Sequence, residues 1–168
     1  MMGLFTHCEL VHPSAQEQTY DAIADPAYVL FDGETAALSC VILGEITPAE
    51  MPDGFVMTGL RTAAPSAVGT KASAREDTRS VGLFGGGSQA RYHLLALAAI
   101  RPITSVKVYR RDAAACRAFA EEMSRVMGIE IVPVDRPEDA VRGMDIVLAA
   151  TNSSVPSSTG TGWSPGNT

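Results

Sequence analysis

The chain has 168 residues, a formal net charge of −6 and 46% hydrophobic residues, enough for one core-forming domain plus a small appendage. The acidic balance, without a long basic run, argues against nucleic acid as a partner, and the apolar run at 94–100 is far too short to span a membrane. Cys8, Cys40 and Cys116 are widely spaced and form no C-x-x-C, which argues against a disulfide framework and a zinc site and makes a reduced, cytoplasmic location the expectation.

Residues 1–25 carry the weakest signal. The first 12 residues lack the basic-then-apolar order of a secretory signal. His7, Cys8, Glu9 and His12 match no ligand spacing, and on a strand His7 and Glu9 would face away from Cys8 and His12, so no metal is expected there. The apolar runs 27–31 and 39–43 are joined through Asp32-Gly33-Glu34-Thr35, which predicts a hairpin with a turn longer than two residues. Residues 47–54, rich in proline and acid, read as a loop. Residues 59–75 are rich in alanine and read as a helix. Pro65 falls inside it at a cost of about 3 kcal/mol, so the helix is expected to begin near Ala64 or to kink there.

From Ser80 the pattern alternates. A strand at 81–84, a helix at 88–100 and a strand at 105–109 are followed by a helix at 112–127 with apolar or small positions Cys116, Phe119, Ala120 and Met123 at helical spacing. Gly128 is its expected stop. A strand at 129–134 ends at Pro133, Arg136-Pro137-Glu138-Asp139 opens a short helix, and a last strand covers 145–149. Such alternation implies an α/β fold, a Rossmann-type parallel sheet of about four strands with right-handed crossovers. Residues 151–168, dense in Ser, Thr, Gly and Pro, read as loop or tail.

The sharpest local signal is Ser-Val-Gly-Leu-Phe-Gly-Gly-Gly-Ser-Gln-Ala-Arg, residues 80–91. Strand, glycine turn and helix follow in that order, and the turn fits G-x-G-x-x-A. Gly85 suits the tight turn. Gly87 lets a pyrophosphate approach the backbone. Ala90 lets the helix pack close to the strand. Free amides at the helix start, including those of Ser88 and Gln89, would then face the phosphates. The plain alternative is a flexible strand-to-helix loop without a ligand. About 20 residues on, the second strand ends in Arg110 and Arg111, with no acid until Asp112. An acid there suits the ribose of NAD, whereas a basic side chain accommodates the 2′-phosphate of NADP, so NADP(H) is preferred and NAD(H) stays open. The alternative is that the two arginines are a solvated strand end. Thr151 and Asn152 lie just past the fourth strand and should line the same crevice.

These segments together resemble the ornithine cyclodeaminase/mu-crystallin family. The resemblance rests on Leu60-Arg61-Thr62-Ala63-Ala64, Thr70-Lys71-Ala72-Ser73-Ala74-Arg75, the glycine turn through Arg91, Arg101-Pro102-Ile103, residues 140–147 and Ala150-Thr151-Asn152-Ser153, in the family's order. It implies a Rossmann domain at 80–168, a connecting helix with the Arg-Thr-Ala-Ala segment at 58–79, and at 1–57 part of a smaller α+β substrate and dimerisation domain containing the hairpin. Members bind NAD(H) or NADP(H) and act on small amino acids or imines, commonly as homodimers. In the cyclodeaminases a hydride leaves the α-carbon of ornithine, ammonia departs, the side-chain amine closes the ring, and the hydride returns to give proline. Other members reduce cyclic imines or interconvert amino and keto acids, and the mu-crystallins also serve as binding proteins.

Carried over by the resemblance, Arg61 meets the substrate carboxylate beside the cofactor and Thr62 adds a hydroxyl to the phosphates. Gly85, Gly87, Ser88, Gln89 and Ala90 hold the pyrophosphate, Arg110 and Arg111 sense the ribose, and Thr151 and Asn152 flank the nicotinamide. Full members are about twice as long. The family's lysine and second arginine find no match in residues 1–27, and its catalytic aspartate lies beyond Thr168, so no catalytic residue is identified in this chain. On this reading the chain is a truncated member with an uncovered sheet edge, and a non-catalytic NADP-binding mu-crystallin-like protein or a nonfunctional remnant is a third reading beside cyclodeaminase and reductase or amino-acid dehydrogenase.

Overall fold

The computed structural model describes residues 2–6, 9–13, 18–23 and 25–153. The cluster His7, Cys8, Glu9 and His12, as a set of side chains, and the tail beyond Ser153 lie outside the described residues. Two small antiparallel units come first. β1 (Met2–Thr6) pairs with β4 (Ala27–Phe31), which pairs with β5 (Leu38–Leu43), while β2 (Glu9–Pro13) pairs with β3 (Gln18–Ile23). The β4–β5 hairpin forms as the Asp-Gly segment predicts. Its longer turn is held by Asp32, whose carboxylate accepts the amides of Thr35 at 2.8 Å and Glu34 at 3.0 Å.

α1 (Met57–Ser73) corrects the expected start near Ala64, because the helix begins at Met57 and runs through Pro65. Arg61 and Thr62 therefore sit inside the helix. Pro65 denies the Arg61 carbonyl its usual amide partner, but this side of the helix is exposed, so water can meet the carbonyl. The opposite side carries Gly59, Ala63 and Ala67, all buried. Packing of that side outweighs the cost of the proline.

The second unit is a four-stranded parallel sheet with the order β8-β7-β6-β9. Its strands are β6 (Ser80–Phe84), β7 (Ser105–Tyr109), β8 (Glu130–Val134) and β9 (Ile146–Ala149). Between them run α2 (Ser88–Ile100), α3 (Ala113–Met127) and α4 (Pro137–Val141). Alternate residues of the inner strands are buried against α2 and α3: Val81, Leu83, Val106 and Val108 join Ala90, Leu94, Phe119 and Met123. Phe84 packs with Ala140 and Val141 of α4 on the other face. Gly82 makes this approach possible, since a Cβ there would strike the Ala140 carbonyl. Asp112 caps α3 by accepting the amides of Ala114 and Ala115, and Gly128 ends it at φ +68°. Pro133 is the penultimate residue of β8, near the strand end as expected. β8 is an edge strand, where a missing donor is tolerated.

The amino end of the sheet is locked by Asp145. Its carboxylate accepts the amides of Arg79 at 2.9 Å and Ser80 at 3.0 Å and the Ser80 hydroxyl at 2.8 Å, and it pairs with Arg75 at 2.9 Å. The Arg79 amide leads these interactions in holding the Asp145 carboxyl below its ordinary range.

Candidate functional site

The chain leaves β6 for β7 and β8 on one side, then returns to place β9 on the other. The carboxyl ends of β6 and β9 thus flank a reversal of strand order, where open α/β sheets form a crevice. Phe84 is level with Tyr109 on one side and Ala149 on the other, so the glycine turn, the Arg110 segment and the Thr151 loop emerge together.

The glycines divide their tasks. Gly85 has φ +95°, and a Cβ there would strike the Ala150 carbonyl and stand 3.3 Å from the Thr151 amide nitrogen. The turn and the Thr151 loop therefore touch through backbone alone. Gly86 is buried under α3, with its Cβ position 3.1 Å from Phe119 Cγ. Gly87 faces open space, where a Cβ would meet nothing within 4 Å. Gly87 is also the N-cap of α2, and no side chain caps that end. The first amides of the helix have no intrahelical acceptor, and a helix start of this kind can receive an anion, with the helix dipole behind it. Ser88 and Gln89 are exposed at this rim, while Ala90 is fully buried against the sheet.

Arg110 reaches back over the turn, and its Nη1 donates to the Gly86 carbonyl at 3.1 Å. Arg111 is exposed beside it. The acid that follows is committed elsewhere: Asp112 is held ionised to lower pH than usual, first by the Ala115 amide that it caps. Thr151 and Asn152 are exposed at the end of β9.

α1 and α2 run parallel. Near their starts Gly59 packs on the Tyr92 ring, and the Tyr92 hydroxyl accepts the Val56 amide at 3.0 Å. Near their ends Arg101 donates to the carbonyls of Lys71 and Ala74, each at 2.9 Å. The first turns of α1, with Arg61 and Thr62, thus lie at the same end of the molecule as the glycine turn. Arg61 is exposed, with its guanidinium 3.9 Å above the Phe5 ring of β1. Thr62 spends its hydroxyl hydrogen on the Thr58 carbonyl at 3.0 Å. Burial pushes the His93 imidazole pKa down and the Cys116 thiol pKa up, which suits packing roles for both.

The sequence reading missed Arg110 as a partner of the glycine turn, Tyr92 as the platform of α1, and Arg101 as its clamp. Only the proximity of Arg110 to the second strand end hinted at the first. Among the described residues no group of three or more His, Cys, Asp or Glu could hold a metal ion, and no helix is long and apolar enough to cross a membrane.

Residues 30–163 match the family described as ornithine cyclodeaminase/mu-crystallin. An ornithine cyclodeaminase of Agrobacterium fabrum is 34% identical over 104 residues, which is 62% of this chain and 29% of that protein. A Delta(1)-pyrroline-2-carboxylate reductase of Bacillus cereus is 33% identical over 109 residues, 65% of this chain and 34% of that one. Among solved structures, the Thermococcus litoralis Delta(1)-pyrroline-2-carboxylate reductase in complex with NADH and L-proline is similar at a TM-score of 0.62 and 34% identity, over 76% of this chain and 36% of that chain. The chain spans about a third of the length of such relatives. The Rossmann-type sheet, the order of the motifs and the match over 30–163 agree: the chain belongs to the ornithine cyclodeaminase/mu-crystallin family.

Proposed function

We propose that this chain supplies the dinucleotide half-site of a nicotinamide-dependent enzyme acting on a small amino acid or its cyclic imine, with the conversion of ornithine to proline as one candidate reaction. The observation that carries the reading is the open cradle at Gly87, formed by an uncapped helix start at a strand-order reversal and closed on one side by the Gly85–Ala150 approach. Its donors and space fit a pyrophosphate. A nicotinamide cofactor bound there supplies a hydride acceptor and donor. The Gly87, Ser88 and Gln89 amides would hold the phosphates, Thr151 and Asn152 would flank the nicotinamide, and the Arg61 fork would bind a substrate carboxylate while staying charged at any working pH. NADP(H) is the preferred cofactor on this reading, because two arginines follow β7 and the nearest acid is spent as a helix cap. No general acid or base is assigned to this chain, since catalysis of that kind needs a titratable group within reach of the reacting atoms.

The division at 57 and 79, a homodimer built on the first segment and a cytoplasmic location belong to the same proposal. Reduction of a cyclic imine stands equally beside the cyclodeaminase reaction. The Bacillus cereus reductase is 33% identical to this chain and the Agrobacterium fabrum cyclodeaminase 34%. Titration of the chain with NADPH and NADH, read by nicotinamide fluorescence, tests the half-site, and saturable binding with NADPH tighter is expected. Binding of neither sinks the half-site, and tighter NADH sinks the arginine argument. The two reactions separate by redox balance in the full-length gene product. The cyclodeaminase turns ornithine into proline without net cofactor consumption, whereas a reductase consumes NADPH in step with the imine.

A further inference from the structure

Resting on the dinucleotide reading above, the geometry assigns Arg110 and Arg111 different tasks. Gly85, Gly86 and Gly87 follow one another, so the backbone has little steric resistance to turning a peptide plane over. The orientation of the 86–87 peptide decides what the cradle offers. With the Gly87 N–H facing the open space it is a donor for an anion. With the plane reversed, the Gly86 carbonyl would face the anion and repel it.

Two observations fix the plane. No described peptide is cis, so the Gly86 carbonyl and the Gly87 N–H point in opposite directions. Arg110 holds that carbonyl at 3.1 Å, toward the β7–α3 loop. The Gly87 N–H is thereby turned away from this loop, and a Cβ on Gly87 would meet nothing within 4 Å, so this part of the turn is open. Phe119, 3.1 Å from the Cβ position of Gly86, packs against the inner side of the turn.

We propose that Arg110 is a positioning residue that locks the Gly86–Gly87 peptide with its N–H toward the dinucleotide phosphates, leaving the choice between NADP(H) and NAD(H) to Arg111. A charge-assisted bond to a carbonyl that would otherwise be free to turn is a stronger constraint than a neutral one. Because both cofactors share the pyrophosphate, the lock serves them alike.

The test titrates the chain and its Arg110→Ala, Arg110→Lys and Arg111→Ala variants with NADPH and NADH by nicotinamide fluorescence, and follows the Gly87 amide resonance by NMR without cofactor. Arg110→Ala is expected to weaken both cofactors by one common factor of about 10 and to move the Gly87 resonance. Arg110→Lys, which keeps one charged donor, recovers part of both effects. Arg111→Ala weakens NADPH at least about 10-fold and spares NADH. If Arg110→Ala weakens NADPH and spares NADH, Arg110 reads the 2′-phosphate and the assignment is overturned. An unmoved Gly87 resonance with unchanged affinities overturns it equally. Should Arg110→Ala fail to fold by circular dichroism, Arg110→Lys carries the comparison: equal partial loss for both cofactors supports the lock, and loss for NADPH alone overturns it. Wild-type protein that binds neither cofactor overturns the dinucleotide reading and the assignment together; binding with the wrong variant pattern overturns the assignment alone.

Discussion

Replacing Arg101 tests the packing that delivers Arg61 to the site end of the molecule. Its residue is 8% exposed, and its guanidinium donates to the carbonyls of Arg75, Lys71 and Ala74, each at 2.9 Å, and of Ile100 at 3.0 Å. Three of these acceptors lie at the end of α1, where a helix leaves carbonyls without partners and carries partial negative charge. A hydrogen bond to a charged donor contributes about 1.5–3 kcal/mol, but Arg101→Ala also opens a space from which water can reach some of the carbonyls. The net loss should correspond to one or two bonds, about 3 kcal/mol, which lowers the melting temperature by about 6–12 °C for a chain of this size. Urea unfolding at pH 7, followed by circular dichroism, measures it. Arg101→Met is the decisive comparator. Apolar replacement of a buried charge pair can be neutral when both partners go, but here the carbonyls remain and methionine offers them no donor. Its loss should match that of alanine. If Arg101→Met stays within about 0.5 kcal/mol of wild type, the side chain acts through its stem and the carbonyl argument fails.

The glycines should separate stability from binding. Gly85→Ala adds a Cβ at φ +95° against the Ala150 carbonyl and should destabilise by about 2–4 kcal/mol. Gly87→Val enters open space at an extended φ of −91° and should fold within about 1 kcal/mol of wild type while weakening both cofactors at least about 10-fold. A Gly87→Val protein that binds normally refutes the cradle. The depressed Asp145 carboxyl gives stability that is fully present above the unfolded value of about 3.9 and is lost as pH falls through the lower folded value, because the unfolded chain binds the proton first. Asp145→Asn should lower the urea midpoint at pH 7 and shrink its fall between pH 5 and pH 2. An undiminished fall would mean that other carboxyls govern it.

What the sequence disclosed was local chemistry with a fixed period or a fixed turn. The Gly85–Ala90 turn, the Asp32 hairpin, the Gly128 stop and the strand–helix alternation after Ser80 are each set by residues within a few positions of one another, and each stands in the structure where the pattern put it. The helix start at Met57 was not legible, because the proline penalty is local while the packing of Gly59 on Tyr92 and the clamp of Arg101 come from 30 or so positions away. The tolerance of Pro133 near the end of β8 depends on β8 being an edge strand, which strand order alone decides. The bond from Arg110 to Gly86 spans 24 positions and carries no pattern in the chain.

The arginines show why such long-range partners matter for reading function. Arg61, Arg75, Arg101, Arg110 and Arg111 all lie in or near the family's matching segments, and in the sequence they are equivalent charges. The structure divides them by the two ends of the parallel sheet. At the amino end, Arg75 pairs with Asp145 and Arg101 saturates the end of α1, so their charges are consumed in holding helix and strands together. At the carboxyl end, exposed Arg61 lies over an aromatic face and exposed Arg110 spends one donor on the glycine turn. A guanidinium has five donors, so a single bond to Gly86 leaves Arg110 well short of saturation. Substitutions at the amino end should therefore move the unfolding midpoint with little change in the ratio of cofactor affinities. On the proposed dinucleotide reading, those at the carboxyl end should move affinities with little change in stability, because Arg61 and Arg110 are exposed.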